Sequence, residues 1–245
     1  MNLYYYGERG LIDSLLADII SDEKNQDKIL NKFLKLINNK SYDKFSIYVE
    51  PSFGQSKGFG VPDLIIKAND DLYIIEAKCG TIKDSCFIGD KFDEFWKNSS
   101  ELNVQLLLRY RFFKALKGLK YNDNYVAYED KIEYNDNSHT KKNGKCQYYR
   151  ALGVSKNTKW IDDIKSVELK NIYFVALTSD TDENAIKFLK DSYKLFNKFD
   201  LDQFKENLRL LRFSEVIKCL NEPRYFNETC DKFHYYNNEK NDANI

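Results

Sequence analysis

Histidine and proline are scarce in this chain of 245 residues, which contains two histidines and three prolines. His139 and His234 are too few for a histidine-rich metal site or a paired-histidine phosphodiesterase. No apolar run approaches the roughly 18 residues that span a bilayer, so an integral membrane protein is not expected. The N-terminus has neither the basic nor the apolar region of a secretory signal, and we therefore expect a cytoplasmic protein with no membrane partner.

The cysteines show no pairing pattern. They are five in number and scattered, with no CxxC pair, at Cys79, Cys86, Cys146, Cys219 and Cys230. An odd, scattered set is typical of free thiols in a reducing compartment, and it excludes a zinc finger and a disulfide framework.

Net charge is also lacking, because 38 Lys and Arg residues balance 38 Asp and Glu residues. Coating of nucleic acid by bulk charge is therefore not expected, although local basic patches are compatible with this balance. Hydrophobic residues make up 42% and charged residues 31% of the chain, which is typical of a globular protein rather than a disordered one. No linker rich in Pro, Gly or Ser divides the chain, so we interpret residues 1–245 as a single domain.

Hydrophobic periodicity predicts an α/β protein with a mixed central sheet flanked by helices. Residues 121–165 are interpreted as an insertion, and residues 222–245 as a polar, frayed tail. The remaining segments are predicted in the following order: helices 8–20 and 25–38, strands 45–49, 61–67 and 72–78, helix 100–118, strand 171–177, and helices 182–197 and 202–220.

The second and third strands are separated by a tight-turn sequence, residues 68–71, which predicts an antiparallel hairpin. If the turn centres on residues 69 and 70, Asp63 faces Glu76 across the hairpin, with Cβ atoms about 4.5–5.5 Å apart. Two carboxylates at that distance can share one hard divalent cation. Lys78 lies on the same face as Glu76, about 6.6 Å further along the strand. A register shifted by one residue would place one carboxylate on the opposite face.

An acid followed two residues later by lysine is common in this lysine-rich chain. The pattern also begins at Asp22, Glu129, Asp163 and Glu168. Glu76 differs because it ends an apolar, strand-like run and follows the chain's only Pro-Asp pair. The alternative interpretation is a surface hairpin whose Glu76–Lys78 pair is merely solvated.

The sequence Pro62-Asp63, twelve intervening residues, and Glu76-Ala77-Lys78 resembles the motif of the PD-(D/E)xK nuclease superfamily. The order of predicted elements is also similar to the αβββαβ core of its restriction-endonuclease-like fold. The resemblance implies that Asp63, Glu76 and the Ala77 carbonyl bind Mg²⁺ or Mn²⁺, and that Lys78 assists a water nucleophile. Members of this family mostly hydrolyse DNA phosphodiester bonds.

Two further acids are candidates for the same site. Glu8 shares the apolar stripe of the first predicted helix, where many family members place an acidic residue, so the resemblance implies that it is catalytic and binds the metal. The alternative is a first-turn acid that interacts with the helix dipole. Glu50 ends the first predicted strand and is the rival third acid.

Gln105 is a candidate supporting residue on the helix at 100–118. The segment resembles a glutamine-tyrosine helix motif of several family branches. It departs from that motif because Arg109 occupies the fourth position after the glutamine and Tyr110 the fifth. A plain polar position on a core helix is the alternative.

Two segments are candidate nucleic-acid contacts. A glycine-rich segment before Asp63 carries Ser56 and Lys57, and a long hairpin connection is the alternative interpretation. Residues 139–159 carry six basic residues and no acid, with interleaved tyrosines, which suits phosphate and base contacts. Its basic candidates are Lys141, Lys142, Lys145 and Arg150, and a solvated loop is the alternative.

These observations together predict a Mg²⁺- or Mn²⁺-dependent DNA endonuclease. Double-stranded DNA is the expected partner, and a homodimer is compatible with such an activity. The alternatives are a non-catalytic nucleic-acid-binding or regulatory module on the same fold, and an RNA nuclease.

Overall fold

A computed structural model of the chain shows five strands in one mixed sheet, in the order β1-β2-β3-β4-β5. The structure describes residues 7–51, 61–79, 82, 101–116, 166–179, 181–198, 201–221 and 223–230. In chain order the elements are α1 (Gly7–Ile20), α2 (Gln26–Asn38), β1 (Phe45–Val49), β2 (Leu64–Ala68), β3 (Asp71–Lys78), α3 (Leu102–Leu116), β4 (Ile172–Thr178), α4 (Asp182–Lys198), α5 (Asp202–Asn207), β5 (Leu208–Arg212), α6 (Phe213–Cys219) and α7 (224–230).

The β2–β3 hairpin has the predicted register. Leu64 pairs with Ile75, and Ala68 pairs with Asp71 across a two-residue turn. Asn69 adopts a positive φ of 49°, a conformation that asparagine tolerates better than most residues. Its side-chain oxygen accepts the Lys44 N–H at 3.0 Å, so the turn is attached to the start of β1.

Two inner strands of the sheet, β3 and β4, are buried on both faces. Every residue of β4 and all but the last residue of β3 are buried, as expected for parallel strands covered by helices. β3 and β4 are parallel, so the chain must cross from one end of the sheet to the other between them, and α3 lies on this crossover. β4 and β5 are also parallel.

Helices cover both faces of the sheet, which gives three layers and two apolar cores. On one face, residues of α3, α4 and α5 pack against alternate strand residues such as Leu72, Ile74 and Phe174. On the other face, residues of α1, α2, α6 and α7 pack against Tyr73, Ile75 and their neighbours. No helix within the described ranges is long and apolar enough to cross a membrane.

Three predictions about the elements were wrong. β2 begins at Leu64 rather than at residue 61, so Asp63 lies just before the strand. The predicted helix 202–220 is two short helices separated by β5, which pairs with β4. The tail was expected to be frayed from residue 222, but residues 224–230 form a helix whose Phe226 is fully buried.

Candidate active site

The candidate site lies at the end of the sheet where β3, β4 and β5 reach their carboxyl termini. Lys78, Thr178 and Arg212 are aligned across these three parallel strands. Because β2 is antiparallel to β3, its first residue comes to the same end. In open α/β sheets the carboxyl ends of parallel strands are the usual place for ligands.

Asp63 and Glu76 lie close together at this end of the sheet. Asp63 directly precedes Leu64, which pairs with Ile75 of β3, and the charge of Asp63 acts on Glu76. The Oδ2 atom of Asp63 accepts the Ala77 backbone N–H at 2.7 Å. This hydrogen bond holds the Asp63 carboxylate against β3 even though Asp63 precedes the strand.

Glu76 is bound by Arg109 of α3. The Arg109 Nε atom donates to Glu76 Oε1 at 2.6 Å, and the two side chains are only 3% and 2% exposed. A second guanidinium nitrogen, Nη2, donates to the Val61 carbonyl at 3.0 Å. Arg109 therefore connects β3 to the segment that carries Asp63.

Burial shifts the proton affinity of both carboxylates. Desolvation raises the pKa of Asp63 to about 6, opposed by the Ala77 N–H and assisted by the negative charge of Glu8. Desolvation also raises the pKa of Glu76 to about 7, opposed mainly by the charge of Arg109 and assisted by that of Asp63. The charge of Asp63 thus acts on Glu76, and a further positive charge would favour the ionised forms of both carboxylates.

Lys78 is held by Glu8, the candidate acid on α1. The Lys78 Nζ atom lies 3.0 Å from one Glu8 oxygen and 3.2 Å from the other. Glu50 instead forms an ion pair with Arg9 at 3.2 Å, and its own N–H donates to the Asp63 carbonyl. Since the charge of Glu8 also acts on Asp63, the structure brings Glu8 into the site rather than Glu50.

Gln105 lies one helical turn before Arg109 on α3, at the edge of the same face. Its side chain is half-buried, and within the part of the chain that the structure describes its Oε1 atom is buried without a hydrogen bond. Ala77, the predicted backbone ligand, lies between Glu76 and Lys78 on β3.

Asp63, Glu76 and the Ala77 carbonyl form a set of oxygen donors that suits Mg²⁺ or Mn²⁺. Among the described residues, no group of three or more His, Cys, Asp or Glu side chains is arranged to hold a metal ion. Mg²⁺ is commonly bound by only one or two carboxylates, with waters and substrate phosphates completing its shell. The donor chemistry therefore fits, although Arg109 holds one of the two Glu76 oxygens.

The predicted nucleic-acid contacts lie outside the described residues. Ser56 and Lys57 belong to residues 52–60, and the basic candidates belong to residues 117–165. Those candidates are Lys141, Lys142, Lys145 and Arg150. Their placement relative to the site therefore stays a prediction.

The ion pair of Arg109 with Glu76 was not predicted from the sequence. The signal was present, because Arg109 falls on the same helical line as Leu102, Leu106 and Phe113, which are all buried. An arginine in an otherwise apolar stripe indicates a buried partner of opposite charge. Cys79, directly after Lys78, does not add a nucleophile, since burial raises the pKa of its thiol to about 12.

Comparison of the chain with protein-family models, with curated proteins and with solved structures finds no match in any of the three.

Proposed function

We propose that this protein is a metal-dependent DNA endonuclease with a restriction-endonuclease-like fold. The observation that carries the proposal is a pair of neighbouring carboxylates, a buried Glu76 and a half-buried Asp63, beside Lys78 at the carboxyl end of the parallel strands. A site built from two hard oxygen ligands and an amine suits the hydrolysis of a phosphodiester.

Buried carboxylates are costly unless they are protonated, paired or bound to a metal. Asp63 and Glu76 would hold Mg²⁺ or Mn²⁺ together with the Ala77 carbonyl. When bound, such an ion polarises a phosphoryl oxygen and lowers the pKa of a water molecule. The raised pKa values of the two carboxylates are the expected property of a site that is completed by a cation.

Lys78 is placed to act on the reacting groups. Its amine lies at the end of β3, two residues beyond Glu76, and Glu8 holds it from α1. From there Lys78 would donate a hydrogen bond to a phosphate oxygen or orient the attacking water. Glu8 is a positioning residue for Lys78, because its two carboxylate oxygens fix the direction of the amine.

A second candidate function is a nucleic-acid-binding or regulatory module without turnover. The ion pair between Arg109 and Glu76 favours it, because the guanidinium already supplies a positive charge to one of the proposed ligands. In such a module Arg109 would replace the metal permanently, and the fold would gain no stability from divalent cations.

Cleavage of supercoiled plasmid DNA tests the proposal. We expect cleavage with Mg²⁺ or Mn²⁺ and none with EDTA. Asp63→Ala should abolish it through loss of a metal ligand, and Lys78→Ala should slow it about 10²- to 10⁴-fold. Asp43→Ala and Lys44→Ala, two exposed residues at the opposite end of the sheet, are matched controls that should cut like the parent.

Cleavage that survives Asp63→Ala and Lys78→Ala unchanged would show that the site is elsewhere. If the parent cuts no nucleic acid yet binds DNA, the module without turnover is the better description. Parallel reactions with linear double-stranded DNA, single-stranded DNA and RNA separate a DNA endonuclease from an RNA nuclease.

A further inference from the structure

Arg109 occupies a position that the proposed chemistry does not explain. Its side chain is nearly inaccessible, so it does not contact a nucleic acid in this arrangement. The guanidinium instead connects two parts of the site: Nε bonds to Glu76 Oε1, and Nη2 bonds to the Val61 carbonyl, two residues before Asp63.

The carboxylate that Arg109 holds is also a proposed metal ligand. At 2.6 Å the Arg109–Glu76 contact is a short, charge-assisted hydrogen bond. A divalent cation on the same oxygen would sit about 2.0–2.1 Å from it, within a few ångströms of the guanidinium charge. Like charges repel strongly at that separation beside a pair of side chains that are only 3% and 2% exposed.

We propose that Arg109 is a built-in competitor of the divalent cation for the Glu76 carboxylate, and that α3 thereby sets the metal affinity of the site. This inference rests on the proposed function, because it needs a metal at Glu76. It makes Arg109 a positioning residue: it holds Glu76 in place when no metal is bound and weakens metal binding.

The hydrogen bonds of Arg109 to Glu76 and to Val61 respond differently to the metal. The Nε bond to Glu76 should weaken when a cation binds the carboxylate, because the cation and the guanidinium carry like charges. The Nη2 bond to the Val61 carbonyl involves no proposed ligand and is retained. Arg109 therefore stays anchored near the site while its bond to Glu76 weakens.

Calorimetric titration with Mn²⁺ alone tests this competition. Measured at one fixed, mildly alkaline pH, the Kd for Mn²⁺ should fall at least about tenfold in Arg109→Met, which corresponds to about 1.4 kcal/mol. Arg109→Gln keeps a donor for the Val61 carbonyl and serves if the methionine variant does not fold. Arg224→Met removes the same charge from an exposed arginine of α7 and should leave the Kd unchanged.

The outcomes separate the two proposals. Equal Kd values in the parent and in the Arg109 variants would overturn the competition while leaving the metal site intact. Absence of Mn²⁺ binding in the parent and in every variant would overturn the proposed function, and the competition with it. Tighter binding in the Arg109 variants and not in Arg224→Met supports both.

A second measurement, made on the parent protein, follows Arg109 directly. The Nε–H resonance of Arg109, assigned by its loss in Arg109→Lys, reports the hydrogen bond to Glu76. We expect this resonance to shift as Mg²⁺ saturates the site. A resonance that stays in place while Mg²⁺ raises the melting temperature would contradict the weakening of this bond.

Discussion

Asp63 is a carboxyl group in a place that disfavours its charge. It is half-buried, it is bonded to β3 through the Ala77 N–H, and the charge of Glu8 acts on it from α1. The Ala77 N–H and the charges of Lys78 and Arg109 oppose these effects without cancelling them, so the pKa rises from 3.8 to about 6. The folded protein therefore binds the Asp63 proton more tightly than the unfolded chain does.

This difference predicts how stability depends on pH in metal-free buffer. The stabilisation linked to the Asp63 proton is complete below pH 3.8 and is lost as the pH rises through about 6. The parent should therefore lose roughly 3 kcal/mol of unfolding free energy across this window that Asp63→Asn does not lose. Urea unfolding of both proteins at several pH values, with EDTA present, measures the difference.

The comparison reports Asp63 together with its effect on Glu76, because the remaining titrating groups contribute to both proteins. Asp43→Asn, which changes an exposed carboxylate, should follow the parent at every pH. A stability difference between the parent and Asp63→Asn that stays constant with pH would show that the Asp63 carboxyl is not perturbed by burial. Saturating Mn²⁺ should stabilise the parent at neutral pH and not Asp63→Asn, because the cation would then replace the proton.

At the scale of single residues, contacts within the hairpin were predictable from the sequence, whereas side-chain contacts between distant elements were not. The turn and the alternation of apolar residues determine the register, so the pairing of Leu64 with Ile75, next to Asp63 and Glu76, was predictable. The bond between Arg109 and Glu76 depends on how α3 is rotated over the sheet. That rotation results from packing between residues far apart in sequence, which periodicity along one helix does not determine.

At the scale of elements, a polar network ties α2 to the sheet at the end opposite the candidate site. Asp71, the first residue of β3, is only 4% exposed. Its carboxylate accepts hydrogen bonds from Lys40 at 2.7 Å and from the Tyr42 hydroxyl at 2.5 Å. Tyr42 also bonds to the hydroxyl of Tyr73, to which Asn38 donates. One carboxylate thus organises the end of α2 and the start of β3.

Replacing Asp71 should therefore be costly. We expect Asp71→Ala to lower the unfolding free energy by about 1–3 kcal/mol, because the buried Tyr42 hydroxyl loses its charged acceptor. Asp70→Ala is a closely matched control, since Asp70 is the neighbouring residue of the same turn and is exposed. Denaturant unfolding should show a change below about 0.5 kcal/mol for that control. Similar values for the two variants would mean that the network contributes little to stability.

β5 is an element that was not predicted from the sequence. Its sequence, Leu-Arg-Leu-Leu-Arg, consists of good helix formers and lies between two true helices, so a continuous helix was the natural prediction. Its strand conformation results from pairing with β4, from Phe174–Leu208 to Thr178–Arg212. Tertiary pairing of this kind overrides local propensity, and a short apolar run does not distinguish a buried strand from a helix.

At the scale of the whole molecule, α7 links the C-terminal part of the described chain to α1, the helix that carries Glu8. The Asp18 carboxylate on α1 accepts the backbone N–H groups of Tyr225 at 3.1 Å and Phe226 at 2.7 Å. These are N–H groups of the first turn of α7, which have no partner within the helix itself. Phe226 is fully buried and packs edge-to-face on Phe213 of α6.

Because α7 packs against α1 and α6, we expect its residues to contribute to stability, although the sequence had predicted a frayed tail in this region. Phe226→Ala should lower the unfolding free energy by about 3–5 kcal/mol, because it leaves a cavity between α1, α6 and α7. Asp18→Ala should lower it by about 1 kcal/mol, because it removes the cap of α7. Glu228→Ala, at an exposed position of the same helix, is the control and should change it by less than about 0.5 kcal/mol.

The same variants test whether α7 supports the site through α1. Asp18→Ala removes the cap of α7 but leaves every proposed metal ligand in place, so this variant should still bind Mn²⁺. The backbone amides of residues 224–230 should exchange faster with solvent than they do in the parent. Because Glu8 holds Lys78 from the first turn of α1, faster exchange that spreads into that turn would couple α7 to the position of the Lys78 amine. Exchange confined to residues 224–230 would instead show that α1 keeps its place on the sheet without α7.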